Sequence, residues 1–159
     1  SIIFNLEVQK SWKFRWDNEL MIWNRVIDRI ENNDNFDINK KWTVLDIGIG
    51  MRNNYFGNSP FMPKTGNKWQ QELNGQLVFG WRALGFLETY SKIQIAKHYF
   101  DEGISNFSDI IKIKDELKKA KPWPSKESII IKDGIICIIF DQNKLDRVLK
   151  SIEEKTAIQ

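Results

Sequence analysis

Residues 121–140 read Lys121-Pro-Trp-Pro-Ser-Lys-Glu-Ser-Ile-Ile-Ile-Lys-Asp-Gly-Ile-Ile-Cys-Ile-Ile-Phe140. Asp133 and Gly134 separate two runs that are rich in isoleucine. Both central residues of a two-residue type I′ turn need a positive φ, which Asp tolerates and Gly adopts freely. The pattern therefore predicts a β-hairpin in which Ser128 to Lys132 pairs antiparallel with Ile135 to Phe140.

The composition indicates one globular domain. Of the 159 residues, 42% are hydrophobic and 13% aromatic, which is ample for a packed core. Lys and Arg number 24 against 21 Asp and Glu, and the basic residues are scattered, so nothing points to nucleic acid as a partner. No run approaches the roughly 20 apolar residues of a membrane span, and we expect residues 1–159 to form a single soluble domain.

Near the N-terminus, apolar residues recur at three- and four-residue steps from Leu6 to about Glu31. This spacing predicts a long amphipathic helix. Its stripe of three tryptophans is interpreted as packing against a sheet, with a ligand platform as the alternative. Asn and Asp at 32–35 end the helix, because their side chains compete for backbone hydrogen bonds. The β-branched run from Trp42 to Gly48 predicts a buried strand.

The middle of the chain is less regular. Ile49 to Lys68 is rich in Asn, Gly, Ser and Pro, and this long loop is the first candidate for a binding surface. Helices are predicted from Trp69 to about Leu87 and from Asp109 to Lys119, and the segment Tyr90 to Phe100 favours a helix because its apolar period is nearer four than two. Asp141 is a predicted N-cap for a terminal amphipathic helix.

These elements predict an α/β fold, with helices packed on a small mixed sheet and a C-terminal β-hairpin. Cys137, the one cysteine, lies in the second hairpin strand, so a disulfide within the chain is excluded and a buried thiol is expected. His98 is the one histidine, which excludes a metal site built from several histidines. No nucleophile elbow, phosphate-binding loop or Cys-x-x-Cys occurs, so we predict no catalytic residue, no metal site and no cofactor.

One short motif points to an alternative enzyme class. Val44-Leu-Asp-Ile-Gly-Ile-Gly50 resembles the first motif of methyltransferases that use S-adenosylmethionine, in which Asp46, Gly48 and Gly50 would contact the cofactor. Such folds place an acidic residue at the end of the next strand about 20 residues on, and no such strand follows here. A methyltransferase-like domain therefore remains an alternative.

Aromatic and polar residues outside the predicted helices suggest a saccharide site. Sugar rings stack on aromatic side chains, while amide and guanidinium groups bind the hydroxyls. Each aromatic residue has a second interpretation as an anchor that pins its loop to the core, above all the tryptophan between two prolines. The candidate substrate-binding residues are Arg52, Asn53, Asn54, Tyr55 and Trp123.

The order of these segments resembles the C-terminal soluble domain of the GtrII-type bacterial glucosyltransferase family, whose members are multi-pass membrane proteins that modify O-antigen or related surface glycans. The resemblance covers most of residues 7–140. The residues that carry it are Asn24 to Glu31, Val44 to Gly48, Asn58-Ser59-Pro60, Pro122 to Ser125, Ser128-Ile129 and Asp133 to Ile136.

The resemblance implies an extracytoplasmic accessory domain of a membrane glucosyltransferase, in which the membrane-embedded part of the same polypeptide transfers glucose from a lipid-linked donor. This domain would dock the glycan acceptor, carry no catalytic centre and be anchored to the membrane through the preceding part of the protein. The chain begins with Ser1 rather than Met, which fits a C-terminal piece of a longer protein. A stand-alone interaction or immunity-type protein remains a further alternative.

Overall fold

The structure is a computed structural model that describes residues 2–48, 81–100, 103–104 and 108–157. Short 3-10 helices span Ser108–Ile113 and Lys126–Ser128. In chain order, the helices and strands are α1 (Ile2–Glu31), β1 (Lys41–Ile47), α2 (Trp81–Tyr90), β2 (Gln94–Phe100), α3 (Lys114–Lys119), β3 (Ile129–Lys132), β4 (Ile135–Ile139) and α4 (Gln142–Ala157). The predicted α/β class is confirmed.

The four described strands form one mixed sheet in the order β2-β1-β4-β3. β1 is parallel to both of its neighbours, β2 and β4, whereas β3 is antiparallel to β4. The strand order therefore reverses at β1, because the chain continues to β2 on one side of it and later returns to β4 on the other. In open α/β sheets, ligands bind outside the carboxyl ends of the strands at such a reversal.

The predicted hairpin is confirmed. Lys132 pairs with Ile135, and the two turn residues have the positive φ values of 50° for Asp133 and 81° for Gly134. Two positive φ values match the right-handed twist of the flanking strands. The turn chemistry thus sets the register of β3 against β4.

Side chains alternate across the sheet and build two cores. One face packs against α1 and α2, and its sheet residues include Trp42, Val44, Ile136 and Ile138. The other face packs against the 3-10 turn, α3 and α4, and its sheet residues include Leu45, Ile47, Ile135, Cys137 and Ile139. The protein has three layers, with the sheet in the middle. Burial raises the pKa of the Cys137 thiol strongly, and the charge of Asp46 adds to the effect, so this cysteine is an inert core residue, as expected.

The long first helix is confirmed, and it ends at Glu31 as predicted. Trp23, Val26 and Ile30 are fully buried, whereas Trp16 is 40% exposed, so the tryptophan stripe lies only partly in the core. The Asn32 side chain donates to the Asp28 carbonyl at 2.9 Å, and Asn33 Oδ1 accepts from the Asn35 amide at 3.0 Å. These side-chain bonds replace the next helical turn.

The helix favoured over Tyr90 to Phe100 is wrong. α2 ends at Tyr90, and β2 begins at Gln94. The register shifts between Trp42 and Thr43, which pair with Ile95 and Lys97, so Ala96 is the extra residue of a bulge. A bulge interrupts the period of two, which is why the apolar spacing of this strand was closer to a helical one.

Three other helix predictions have different outcomes. The segment Asp109 to Lys119 is helical, but it is a 3-10 helix as far as Ile113 and an α-helix only in α3. Asp141 caps α4 as predicted, because its Oδ1 accepts from the Lys144 amide at 2.8 Å. The predicted helix from Trp69 to Leu87 lies partly outside the described residues, and its last seven residues belong to α2.

Across the described ranges, none of the helices combines the length and apolar content that crossing a bilayer requires.

Candidate functional site

The carboxyl ends of β1 and β2 hold a buried pair of ionisable side chains. Asp46 Oδ2 and His98 Nε2 are in hydrogen-bond contact, and their side chains are 0% and 6% exposed. Asp46 lies on the face of the sheet that packs against α1 and α2, since it follows Trp42 and Val44 at steps of two. A carboxylate in this position needs an adjacent cation or hydrogen-bond donor, and His98 supplies it.

Aspartate-histidine pairs also occur in hydrolases, where the carboxylate orients the imidazole toward a nucleophile. Within the described ranges, no serine, threonine or cysteine side chain is hydrogen-bonded to His98. Cys137 packs on the opposite face of the sheet, and no three ligand-type side chains of the described residues form a possible metal site. Among the described residues, the pair links β1 to β2 at the β2 edge of the sheet.

The chain leaves β1 through a glycine with no space around it. Gly48 has a φ of +87°, and a Cβ at this position would lie 2.3 Å from the Asp141 Cβ. The Phe140 amide donates to the Ile47 carbonyl at 2.7 Å, which holds the ends of β1 and β4 together. The glycine thus permits close contact between the two segments that leave the sheet.

This arrangement bears on the methyltransferase alternative. In a cofactor loop, the glycine after the first strand leaves room for the ligand to approach the backbone. Here Asp141 fills the room beside Gly48, and Asp46 is turned into the sheet toward His98. Gly50 lies outside the described residues, so neither of the two described motif residues offers a contact to S-adenosylmethionine.

Of the predicted substrate-binding residues, Arg52, Asn53, Asn54 and Tyr55 lie outside the described residues, as does the whole of the predicted loop from Ile49 to Lys68. That segment starts where Gly48 leaves the carboxyl end of β1. This end of β1 is also the point at which the strand order reverses. The predicted loop therefore begins at the position where sheets of this kind bind their ligands.

The fifth predicted residue, Trp123, is described, and it is an anchor. Its side chain is only 3% exposed, and its backbone amide donates to the Ile139 carbonyl at 2.8 Å. The guanidinium of Arg29 lies 4.3 Å from the ring centroid and donates to the carbonyls of Ser125 at 2.8 Å and Pro124 at 3.0 Å. Arg29 thus fixes the Pro-Trp-Pro segment to α1, and Trp123 offers almost no surface to a saccharide.

The contacts between Arg29 and the Pro-Trp-Pro segment should contribute measurably to stability. Arg29→Lys lowers the free energy of unfolding by about 2 kcal/mol, because an ammonium cannot stack on the indole and donate to two carbonyls at once. The matched control is Arg25→Lys, since Arg25 lies 5.5 Å from the same ring centroid and is exposed, and it should cost less than about 1 kcal/mol. Urea unfolding measures both values. Equal losses in the two variants would contradict the assigned role of Arg29.

The sequence interpretation missed the Asp46–His98 pair for an identifiable reason. The two residues are 52 positions apart, and they meet only because β1 and β2 are parallel neighbours.

Comparison with protein-family models, with curated proteins and with solved structures gives no match.

Proposed function

We propose that this chain is the extracytoplasmic accessory domain of a membrane-bound glucosyltransferase that modifies a surface glycan of the O-antigen type. The resemblance to the GtrII-type family suggests the class. The membrane-embedded part of the same polypeptide would carry out glucosyl transfer from the lipid-linked donor. The domain would contribute a rigid support and a docking surface for the glycan acceptor.

The observation that carries this proposal is the shape and surface of α1. The helix has 30 residues and is about 45 Å long, whereas β1, with seven residues, spans about 23 Å. Among the α1 side chains that the structure describes, the buried ones begin only at Glu19. The described buried side chains of α1 thus lie in its second half, whereas those described in its first half are exposed or partly exposed.

The exposed side chains of this first half suit a position at a membrane surface. Leu6 is 50% exposed and Trp16 is 40% exposed, and the exposed residues between them include Lys10 and Lys13. Tryptophan, leucine and lysine are the residues that sit at the boundary between headgroups and acyl chains. A helix of this kind is well suited to connect a membrane-embedded part to an extracytoplasmic domain.

Glycan docking is assigned to the segment that follows β1. Arg52, Asn53 and Asn54 would bind hydroxyls, and Tyr55 would stack on a sugar ring. Trp123 would act only through the packing that supports the carboxyl end of β4. Partners are thus the glycan acceptor and the membrane part of the same protein.

The test uses the complete gene and the intact protein. We expect runs of about 20 apolar residues upstream of Ser1. We also expect Arg52→Ala/Tyr55→Ala in the full-length protein to lower the glucose content of the surface glycan at least about tenfold at a normal membrane level, which corresponds to the loss of about 1.4 kcal/mol of acceptor binding.

The matched control is Tyr90→Ala/Arg147→Ala, which removes the same side-chain types from exposed positions of α2 and α4 and should leave glucosylation unchanged. A start codon immediately before Ser1 would overturn the proposal and favour a stand-alone interaction protein. Unchanged glucosylation in Arg52→Ala/Tyr55→Ala would overturn the docking role of the loop.

A further inference from the structure

A cavity lies at the end of the sheet opposite to the Asp46–His98 pair, where β1 begins and the hairpin turns. Its volume is about 480 Å³, within the range of about 300–1,000 Å³ that is typical of small-molecule sites. Three parts of the chain form its wall: the connection from α1 to β1, the helix α3 and the hairpin. The lining residues are Asn35, Lys40, Trp42, Glu116, Ile130, Ile131, Lys132, Asp133 and Gly134.

The carboxylate of Glu116, which lines the cavity, accepts a hydrogen bond from Lys132 through only one of its two oxygens. Lys132 Nζ donates to Glu116 Oε1 at 2.7 Å, and this hydrogen bond holds the pKa of Glu116 below its usual value, so the group is ionised. Glu116 Oε2 is buried, and no other residue in the described part of the chain donates a hydrogen bond to it. A buried acceptor without a donor is costly, and a ligand hydroxyl would supply the donor.

The balance of charges in the wall indicates what kind of ligand fits. Two lysines, Lys40 and Lys132, face two acidic residues, Glu116 and Asp133, and Asn35 adds an amide that both donates and accepts. A net anionic or cationic ligand would meet as many repulsive groups as attractive ones. A neutral ligand with several hydroxyls could use both kinds, because each hydroxyl donates one hydrogen bond and accepts others.

The wall also has an apolar part. Ile130 and Ile131 line the cavity beside the polar groups, and Lys40 Nζ lies 5.4 Å from the ring centroid of Trp42. Both isoleucines are nearly buried, at 8% and 4% exposed, on opposite faces of the sheet, so the part of the wall that a ligand can reach is mainly polar and suits the hydroxyl rim of a sugar ring.

We propose that the hairpin cavity is a binding site for a neutral sugar unit, separate from the loop after β1. The choice of a hexose rests on the proposed function, whereas the site itself rests on the cavity. The cavity lies at the start of β1, whereas Gly48, the residue that precedes that loop in the sequence, lies at the end of β1. A glycan acceptor would then be held at two places on one domain.

The experiment is an NMR titration of the isotope-labelled 159-residue chain with D-glucose to millimolar concentrations. We expect saturable shifts of the backbone amides of Lys132, Asp133 and Gly134. Glu116→Gln should weaken binding about fivefold, because the Gln oxygen will pair with Lys132 and leave an amide donor at the position of Oε2. Asn35→Ala, an exposed position, should weaken binding similarly and provides a second variant if Glu116→Gln is unstable.

The matched control is Glu153→Gln, because Glu153 is also paired with a lysine, Lys118 at 3.4 Å, but lies outside the cavity. It should bind D-glucose like the unaltered chain. Shifts confined to residues 49–68 would overturn the cavity site and leave the proposed function intact. Tighter binding of inorganic phosphate than of D-glucose at the hairpin, or no shift at all, would overturn it as well. If the complete gene encodes no membrane spans but D-glucose binds at the hairpin, the proposed function fails and the cavity site stands.

Discussion

Gly48→Ala lowers the free energy of unfolding by about 3–5 kcal/mol. The added methyl group would lie 2.3 Å from the Asp141 Cβ and 2.8 Å from the Asp141 backbone nitrogen. Neither atom belongs to the flexible end of a side chain, and Asp141 is also held as the N-cap of α4. The φ of +87° adds strain for any residue with a Cβ. Urea unfolding of the purified chain measures the loss.

Two other glycines separate the clash from the backbone strain. Gly134 has a φ of +81° but nothing within 4 Å of a built Cβ, so Gly134→Ala should cost only about 1–2 kcal/mol. Gly85 lies in α2 and has neither constraint, so Gly85→Ala should stabilise the protein by about 0.5–1 kcal/mol. If Gly48→Ala costs no more than Gly134→Ala, the contact with Asp141 is not rigid.

The sequence predicted the features that depend on local chemistry. The hairpin depends on the positive φ of Asp133 and Gly134, the cap of α4 on Asp141, and the end of α1 on the Asn residues at 32–35. Each of these signals acts within a few residues. The strand β2 was missed because the bulge at Ala96 breaks its alternation, and a period is a reliable guide only where it is unbroken.

The candidate sites likewise divide into residues with a local sequence signal and groups that come together only through long-range contacts. Trp123 had two interpretations in the sequence, and its burial under Arg29 decides for the anchor. The cavity had no signal in the sequence, because its wall combines the connection before β1, α3 and the hairpin, which come together only in the folded chain. A long-range assembly of this kind depends on strand order, and nothing in the local sequence specifies that β4 returns beside β1.

The same dependence on strand order makes the Asp46–His98 pair a sensitive polar contact of the core. We expect His98→Leu to lower the free energy of unfolding by about 3–5 kcal/mol, because it leaves the fully buried Asp46 carboxylate without its imidazole partner. Asp46→Leu should cost less, about 1–3 kcal/mol, because it leaves no carboxylate charge buried at this position. Urea unfolding of both variants measures these losses.

The double variant Asp46→Leu/His98→Leu should be more stable than His98→Leu alone, since replacing both partners with apolar side chains removes the buried charge. The matched control is the exposed pair Lys13–Asp17, separated by 3.1 Å with side chains 77% and 55% exposed. The two single leucine variants and the double variant of this pair should give a coupling energy below about 1 kcal/mol. Additive losses for Asp46 and His98 would mean that the two side chains do not stabilise each other. A large coupling would instead show that His98, which β2 brings beside Asp46, stabilises the buried carboxylate.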